Sequence, residues 1–153
     1  MIRRSAAICL ALLILTACSL PRIIVLKDPL TPEEHLKLGM AYEQNKEYGL
    51  AVKEYEAAAG KLEKAKLYLA NAHFLNNEPD KAETLYRRVI EEDPKCADAY
   101  NNLAWLLYTQ KRKLSEARDL VKTALTINPE GKENYTDTLN RIEQELKRAE
   151  HHP

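Results

Sequence analysis

The stretch Ala97–Pro129, ADAYNNLAWLLYTQKRKLSEARDLVKTALTINP, decides the fold. Apolar or small residues fall at Tyr100, Leu103, Ala104 and Leu107, and again at Ala117, Leu120, Val121, Ala124 and Leu125. Spacings of three and four residues mark two short amphipathic helices, each with one buried stripe. Ala104 and Ala117 stand at the expected crossing, where small side chains let two backbones approach. A larger side chain there would overpack the contact, at a cost of roughly 1–3 kcal/mol.

The same pattern recurs upstream. Tyr68-Leu69-Ala70-Asn71-Ala72 is followed by Ala82, Tyr86, Val89 and Asp93-Pro94, while Leu38-Gly39 and Tyr42 are followed by Ala51, Tyr55 and Ala58. Three helical hairpins in tandem are expected, and the fold class is all-α. A large residue, Leu-Gly or Leu-Ala, an aromatic, then Ala, an aromatic, Ala and Pro resembles the tetratricopeptide repeat (TPR) family, whose period is about 34 residues. The resemblance covers Pro32 to Pro129. It implies an α-solenoid of three hairpins, at about 32–62, 63–96 and 97–131, plus a C-terminal capping helix and tail at 132–153.

The departures from that pattern carry information. From Ala70 to Ala104 the step is 34 residues, but from Gly39 to Ala70 it is 31, and the missing length falls around Gly60, where no Asp-Pro occurs. The first two repeats should therefore join by a tighter corner. The third carries one extra residue in its internal turn, Gln110-Lys111-Arg112-Lys113, at a surface position that tolerates insertion.

Helix boundaries are signalled locally. Thr31 as cap, Pro32 at the first helical position and Glu34 form a capping box. Asn45-Lys46-Glu47 makes the first turn, and Gly60 is a C-terminal stop. Asn76-Asn77-Glu78-Pro79 makes the second turn. After Pro129, Gly131 opens a last helix through Tyr135, Ile142 and Leu146, and Tyr135-Thr136-Asp137-Thr138-Leu139 resembles the opening of a covering helix. No partner helix follows, so this one is expected to cap the last repeat.

Residues 1–17 read as a signal. Arg3 and Arg4 form a positive start, Ala6 to Leu15 is an apolar run too short to span a bilayer, and Leu15-Thr16-Ala17-Cys18 ends it. This resembles a bacterial lipoprotein signal, which implies that Cys18 is acylated and becomes the mature N-terminus. Ser19, rather than Asp, implies an outer-membrane lipoprotein facing the periplasm. Acyl chains hold such a protein without a transmembrane helix, because each buried methylene contributes about 0.8 kcal/mol.

Residues 18–31 form the lipidated N-terminus and tether, which contains Pro21, Pro29 and the apolar run Ile23-Ile24-Val25-Leu26. That run either covers the first hairpin, since terminal repeats need capping, or is offered to a partner's sheet edge. Removing residues 1–17 takes away Arg3 and Arg4 and no acid, leaving 21 basic side chains against 23 acidic ones. No basic field exists to hold nucleic acid. Cys9 leaves with the signal and Cys96 remains without a pairing partner, which excludes a disulfide framework. Cys96 is read as an inert residue at the corner between repeats.

No catalytic constellation, metal-ligand set or cofactor motif is expected. His35 and His73 are read as structural or incidental, and His151-His152 as part of a terminal tail. What remains is a surface. In TPR superhelices the first helix of each hairpin lines a concave groove, and the repeat frames place Glu33, Leu36, Met40 and Gln44, then Leu67, Asn71, Phe74 and Leu75, then Asn101, Trp105 and Tyr108 along it, with Asp137 and Arg141 from the cap. Trp and Tyr commonly carry interface energy, and Asn71 and Asn101 suit hydrogen bonds to a peptide backbone. Phe74 and Trp105 have a second reading as core between hairpins.

Leu36 and Met40 occupy places where chaperone-binding TPR proteins use Lys and Asn, which argues against an acidic C-terminal peptide as ligand. The expected function is a non-catalytic protein-binding adaptor or assembly factor in the bacterial envelope, with a protein or peptide in its groove. A self-associating scaffold and an accessory subunit of a periplasmic hydrolase or peptidase are the alternatives.

Overall fold

The computed structural model describes residues 28–151. The signal segment, Cys18 and the run Ile23–Leu26 lie outside the described residues. Seven α-helices follow in order: α1 Pro32–Gln44, α2 Tyr48–Ala59, α3 Ala65–Leu75, α4 Pro79–Glu92, α5 Ala97–Thr109, α6 Leu114–Ile127 and, after a 3-10 turn at Pro129–Gly131, α7 Lys132–His151. Each helix packs on the one before it, while α3 also meets α5 and α5 meets α7. The result is an α-solenoid of three helical hairpins closed by a C-terminal helix.

Small residues set the hairpin crossings. Ala51, Ala70, Ala82, Ala104 and Ala117 are fully buried, and the buried ring of Tyr55 lies against Gly39. A Cβ on Gly39 would stand 2.5 Å from that ring. Tyr135 approaches Gly131 in the same way, at 2.6 Å from a Cβ built there. With Thr138 and Ile142, Tyr135 forms the buried stripe of α7, the face that covers the last hairpin.

The three hairpin turns share one device. The amide of Lys46 donates to the carbonyl of Glu43 at 2.9 Å, and that of Glu47 donates to Tyr42 at 2.9 Å. Asn77 and Glu78 repeat the pattern on Phe74 and His73, and Lys111 and Arg112 on Tyr108 and Leu107. These are Schellman closures, which need a left-handed residue. Lys46, Asn77 and Lys111 supply it, with φ of 62°, 59° and 50°. The extra residue of the third turn adds a second left-handed position, Lys113 at φ 50°.

The capping box at Thr31 forms as expected, with the Glu34 amide donating to Thr31 Oγ1 at 3.2 Å and the Thr31 amide donating to Glu34 Oε2 at 2.7 Å. Gly60 departs from expectation. It is the C-cap of α2 but sits at φ −64°, in right-handed geometry, with open space where a Cβ would stand. Any residue fits that backbone, so the helix ends without using glycine's left-handed freedom. The later corners are closed by side chains. Asp93 Oδ1 accepts from the Lys95 amide at 3.0 Å, and Asn128 Oδ1 accepts from the amides of Glu130 and Gly131, both at 3.2 Å.

Both buried histidines join chain segments. His35 Nδ1 lies 2.7 Å from Glu54 on α2, and its Nε2 lies 3.2 Å from Asp28. His73 Nδ1 lies 2.7 Å from Glu78 in the turn before α4. The Glu54 hydrogen bond raises the His35 pKa, against the opposing effect of burial.

Three outcomes follow from this architecture. Gly39→Ala should lower stability in denaturant unfolding, because overpacking of about 1–3 kcal/mol outweighs the gain of about 1 kcal/mol in helix propensity. Lys46→Gly should raise stability by about 0.5–1 kcal/mol by relieving the left-handed backbone. His35 is favoured in its protonated form on folding, so its contribution is fully present below the ordinary histidine value of about 6.5 and fades as pH rises through the folded value. Thermal unfolding scanned from pH 5.5 to about 8.5 should show that loss, and His35→Gln should flatten it.

Candidate partner-binding groove

Four of the expected groove side chains, Asn71, Phe74, Leu75 and Trp105, gather at one cavity. Glu43, Asn71, Phe74, Leu75, Tyr86, Asn102 and Trp105 line a space of about 210 Å³. It is built on α1, α3 and α5, with Tyr86 reaching in from α4. Phe74 and Trp105 are half-buried and line the cavity, and Phe74 also packs against the hydrophobic core. Phe74 therefore belongs to both readings, interior on one side and surface on the other.

Buried tyrosines carry the core through to this wall. The Tyr55 hydroxyl donates to Glu43 Oε2 at 2.8 Å, and the Tyr86 hydroxyl donates to Asn71 Oδ1 at 2.8 Å. Asn102 Nδ2 also donates to Asn71 Oδ1, at 3.0 Å. Val121 stands four residues after Ala117, as Tyr55 and Tyr86 stand after Ala51 and Ala82. Val121 brings no hydroxyl to the groove in the third repeat, and Trp105 takes the place that Asn71 holds in the second.

The rest of the forecast needs corrections. Leu36 is 6% exposed and belongs to the core with Ala51, Val52 and Tyr55, so it has almost no surface to offer a ligand. Asn71 spends both lone pairs of its side-chain carbonyl on Tyr86 and Asn102, and is a structural bracket on that side. Leu67 lines a separate cavity of about 340 Å³ with Tyr68, Val89 and Cys96, away from Trp105. Met40 is 37% exposed and Leu75 41%, and Glu33 and Gln44 are exposed on α1.

At the far end the rings of Trp105 and Tyr108 stand 5.3 Å apart, tilted by 40°. The Arg141 guanidinium lies 5.9 Å from the Trp105 ring centre and is paired with Asp137 at 2.8 Å. Asn101 donates to Asn102 Oδ1 at 3.5 Å, while its own Oδ1 is buried without a hydrogen-bond partner. An unsatisfied buried acceptor is costly and marks a place where a donor would be welcome.

Glu43, Tyr86 and Asn102 were not forecast. Glu43 stands four residues after Gly39, as Phe74 stands after Ala70 and Tyr108 after Ala104, so the repeat frame itself pointed to it rather than to Gln44. Nothing in the repeat frame signals Asn102, which enters through its bond to Asn71 across two helices. Cys96 is half-buried, and burial pushes its thiol pKa up, away from the reactive thiolate. Among the described residues, no cluster of three or more His, Cys, Asp or Glu is arranged to hold a metal. No described helix is long and apolar enough to cross a membrane.

Comparison with known proteins agrees with this geometry. Residues 35–60 and 67–132 each match a family model described as tetratricopeptide repeat. No curated protein matches the sequence. Among solved structures, the first TPR of Spaghetti (RPAP3) bound to the HSP90 peptide SRMEEVD is 19% identical, with a TM-score of 0.70 over 80% of this chain and 98% of that one. The Sgt2 TPR domain from Aspergillus fumigatus is 17% identical, with a TM-score of 0.72 over 78% of this chain and 82% of that one. The second TPR domain of human RPAP3, in complex with the HSP70 peptide SGPTIEEVD, is 19% identical, with a TM-score of 0.64 over 74% of this chain and 98% of that one. At such identities the likeness is one of fold. Over residues 35–60 and 67–132 the chain is built of tetratricopeptide repeats.

Proposed function

We propose that the protein is a non-catalytic adaptor or assembly factor that holds a segment of a partner protein in the groove at Phe74, Leu75 and Trp105. The observation that carries the reading is Trp105, the single tryptophan of the chain. It is half-buried, and it lines a cavity with two further apolar side chains instead of closing into the core. A rigid aromatic seated in a pocket is the usual anchor of an interface. The neighbours with bound HSP90 and HSP70 peptides lend support, since the same fold serves peptide binding there.

The adaptor reading includes an anchor. Arg3 and Arg4, the apolar run Ala6 to Leu15 and the box Leu15-Thr16-Ala17-Cys18 support acylation of Cys18 and attachment to a bacterial outer membrane, facing the periplasm. The tether of residues 18–31 then presents the solenoid to envelope proteins.

Two experiments test these parts separately. Crosslinking pull-down from envelope extracts should capture a partner with the wild-type chain and lose it with Trp105→Ala plus Tyr108→Ala, both proteins remaining helical by circular dichroism. Truncating such an anchor weakens binding by about 2 kcal/mol or more, and unchanged capture would remove the groove from consideration. Cys18→Ala should abolish labelling by radioactive palmitate and release the protein from sedimented membranes, whereas labelled, membrane-bound Cys18→Ala protein would overturn the anchor.

A further inference from the structure

Glu43 is the charged side chain of the Trp105 cavity, and among the described residues it has no cation as partner. Several other carboxylates are neutralised by cations. Glu83 meets Arg87 and Arg112, Glu92 meets Lys66 and Arg88, and Glu145 meets Lys111 and Arg148. Glu43 instead accepts one hydrogen bond, from the Tyr55 hydroxyl, through Oε2, and its Oε1 has no partner among the described residues. Burial and the nearby Glu43 charge push the Tyr86 hydroxyl pKa up.

The remaining hydrogen-bonding capacity beside the cavity has the same sense. Asn71 Oδ1 is already filled by Tyr86 and Asn102, which leaves the free oxygen of Glu43. Arg141, the cation beside Trp105, is engaged by Asp137 and by the ring face. The wall therefore offers the carboxylate of Glu43 next to an apolar floor of Phe74, Leu75 and Trp105. At about 210 Å³ the space suits one or two inserted side chains, below the roughly 300–1,000 Å³ of small-molecule sites.

We propose that the partner segment presents a lysine or arginine set among aliphatic residues, with the cation at Glu43 and the aliphatic groups on Phe74 and Trp105. This rests on the adaptor reading and narrows it to a basic, apolar segment, opposite in sign to the acidic tails SRMEEVD and SGPTIEEVD of the compared structures. Charge complementarity carries the assignment, because an acidic segment would bring like charge to a half-buried carboxylate.

Trp105 supplies the readout, since its emission reports on this cavity alone. The full chain in detergent is titrated with a blocked nonapeptide bearing one central Arg among Leu and Ser, and with its twin carrying Glu in place of Arg. The Arg peptide should shift the emission saturably, and Glu43→Gln or raised salt should weaken it about tenfold. Tyr55→Phe, which removes the hydroxyl bonded to Glu43 but keeps the carboxylate, should leave the charge preference intact. That variant separates loss of charge from loss of folding.

Equal or tighter binding of the Glu twin overturns the proposal, as does an unaltered affinity in Glu43→Gln. A shift caused by Arg22→Glu with Lys27→Glu in the absence of peptide assigns the cavity to the chain's own segment 22–27, and emission that varies with protein concentration assigns it to a second copy. Either result overturns the partner assignment. If neither peptide moves the emission while Trp105→Ala plus Tyr108→Ala still loses the crosslinked partner, the charge inference falls and the adaptor stands. If capture is also unchanged, both fall.

Discussion

Everything in this structure depends on how closely paired helices approach. Gly39 under the ring of Tyr55, and the fully buried alanines at 70, 82, 104 and 117, bring backbones near enough for large side chains from the next helix to close over them. Interiors packed at this density transmit a misfit of a single methyl group. The crossings therefore fix the angle of each hairpin and, through stacking, the spacing of α1, α3 and α5 along the groove. In a solenoid each repeat contacts only its neighbours, so the local crossing sets the global curvature.

The same crossings deliver polar groups to the groove. Tyr55 and Tyr86 are buried for most of their length, yet each hydroxyl emerges to hold a groove side chain, Glu43 in one case and Asn71 in the other. A buried hydroxyl needs such a partner. Groove composition is thus partly dictated by the core: Asn71 is where it is because Tyr86 and Asn102 require an acceptor. In the third repeat, where Val121 makes no such demand, the aromatic Trp105 occupies the place equivalent to Asn71.

Between repeats two and three an ionic cluster adds register. Glu83 on α4 meets Arg87 on its own helix and Arg112 at 2.5 Å in the turn before α6, while Arg87 reaches Glu116 on α6 at 2.7 Å. Burial acts to raise the Glu83 pKa, but Arg87 and Arg112 outweigh it and hold the carboxyl below its ordinary range. The residue inserted in the third turn, which lengthens Gln110–Lys113, helps bring Arg112 and Lys113 within reach of Glu83.

Hairpin number, helix faces, the Thr31 capping box, the turns at Lys46 and Asn77 and the covering role of α7 were legible in the chain, because periodicity and capping are local properties read within a few residues. So was the presence of Phe74 and Trp105 on the inner helices. The fate of individual polar and apolar side chains was not. Leu36 goes to the core, Leu67 lines another cavity, Asn71 is bound from two sides, and Glu43 emerges as the lone charge at the cavity. Each of these outcomes depends on partners 12 to 31 residues away, as in the pairs Tyr55–Glu43 and Asn102–Asn71. Sequence by itself determined the elements and their faces, since those follow from the period of the helix. Only the tertiary structure decided which groups on the inner face are satisfied by neighbours and which stay free, since that depends on the packing of non-adjacent helices.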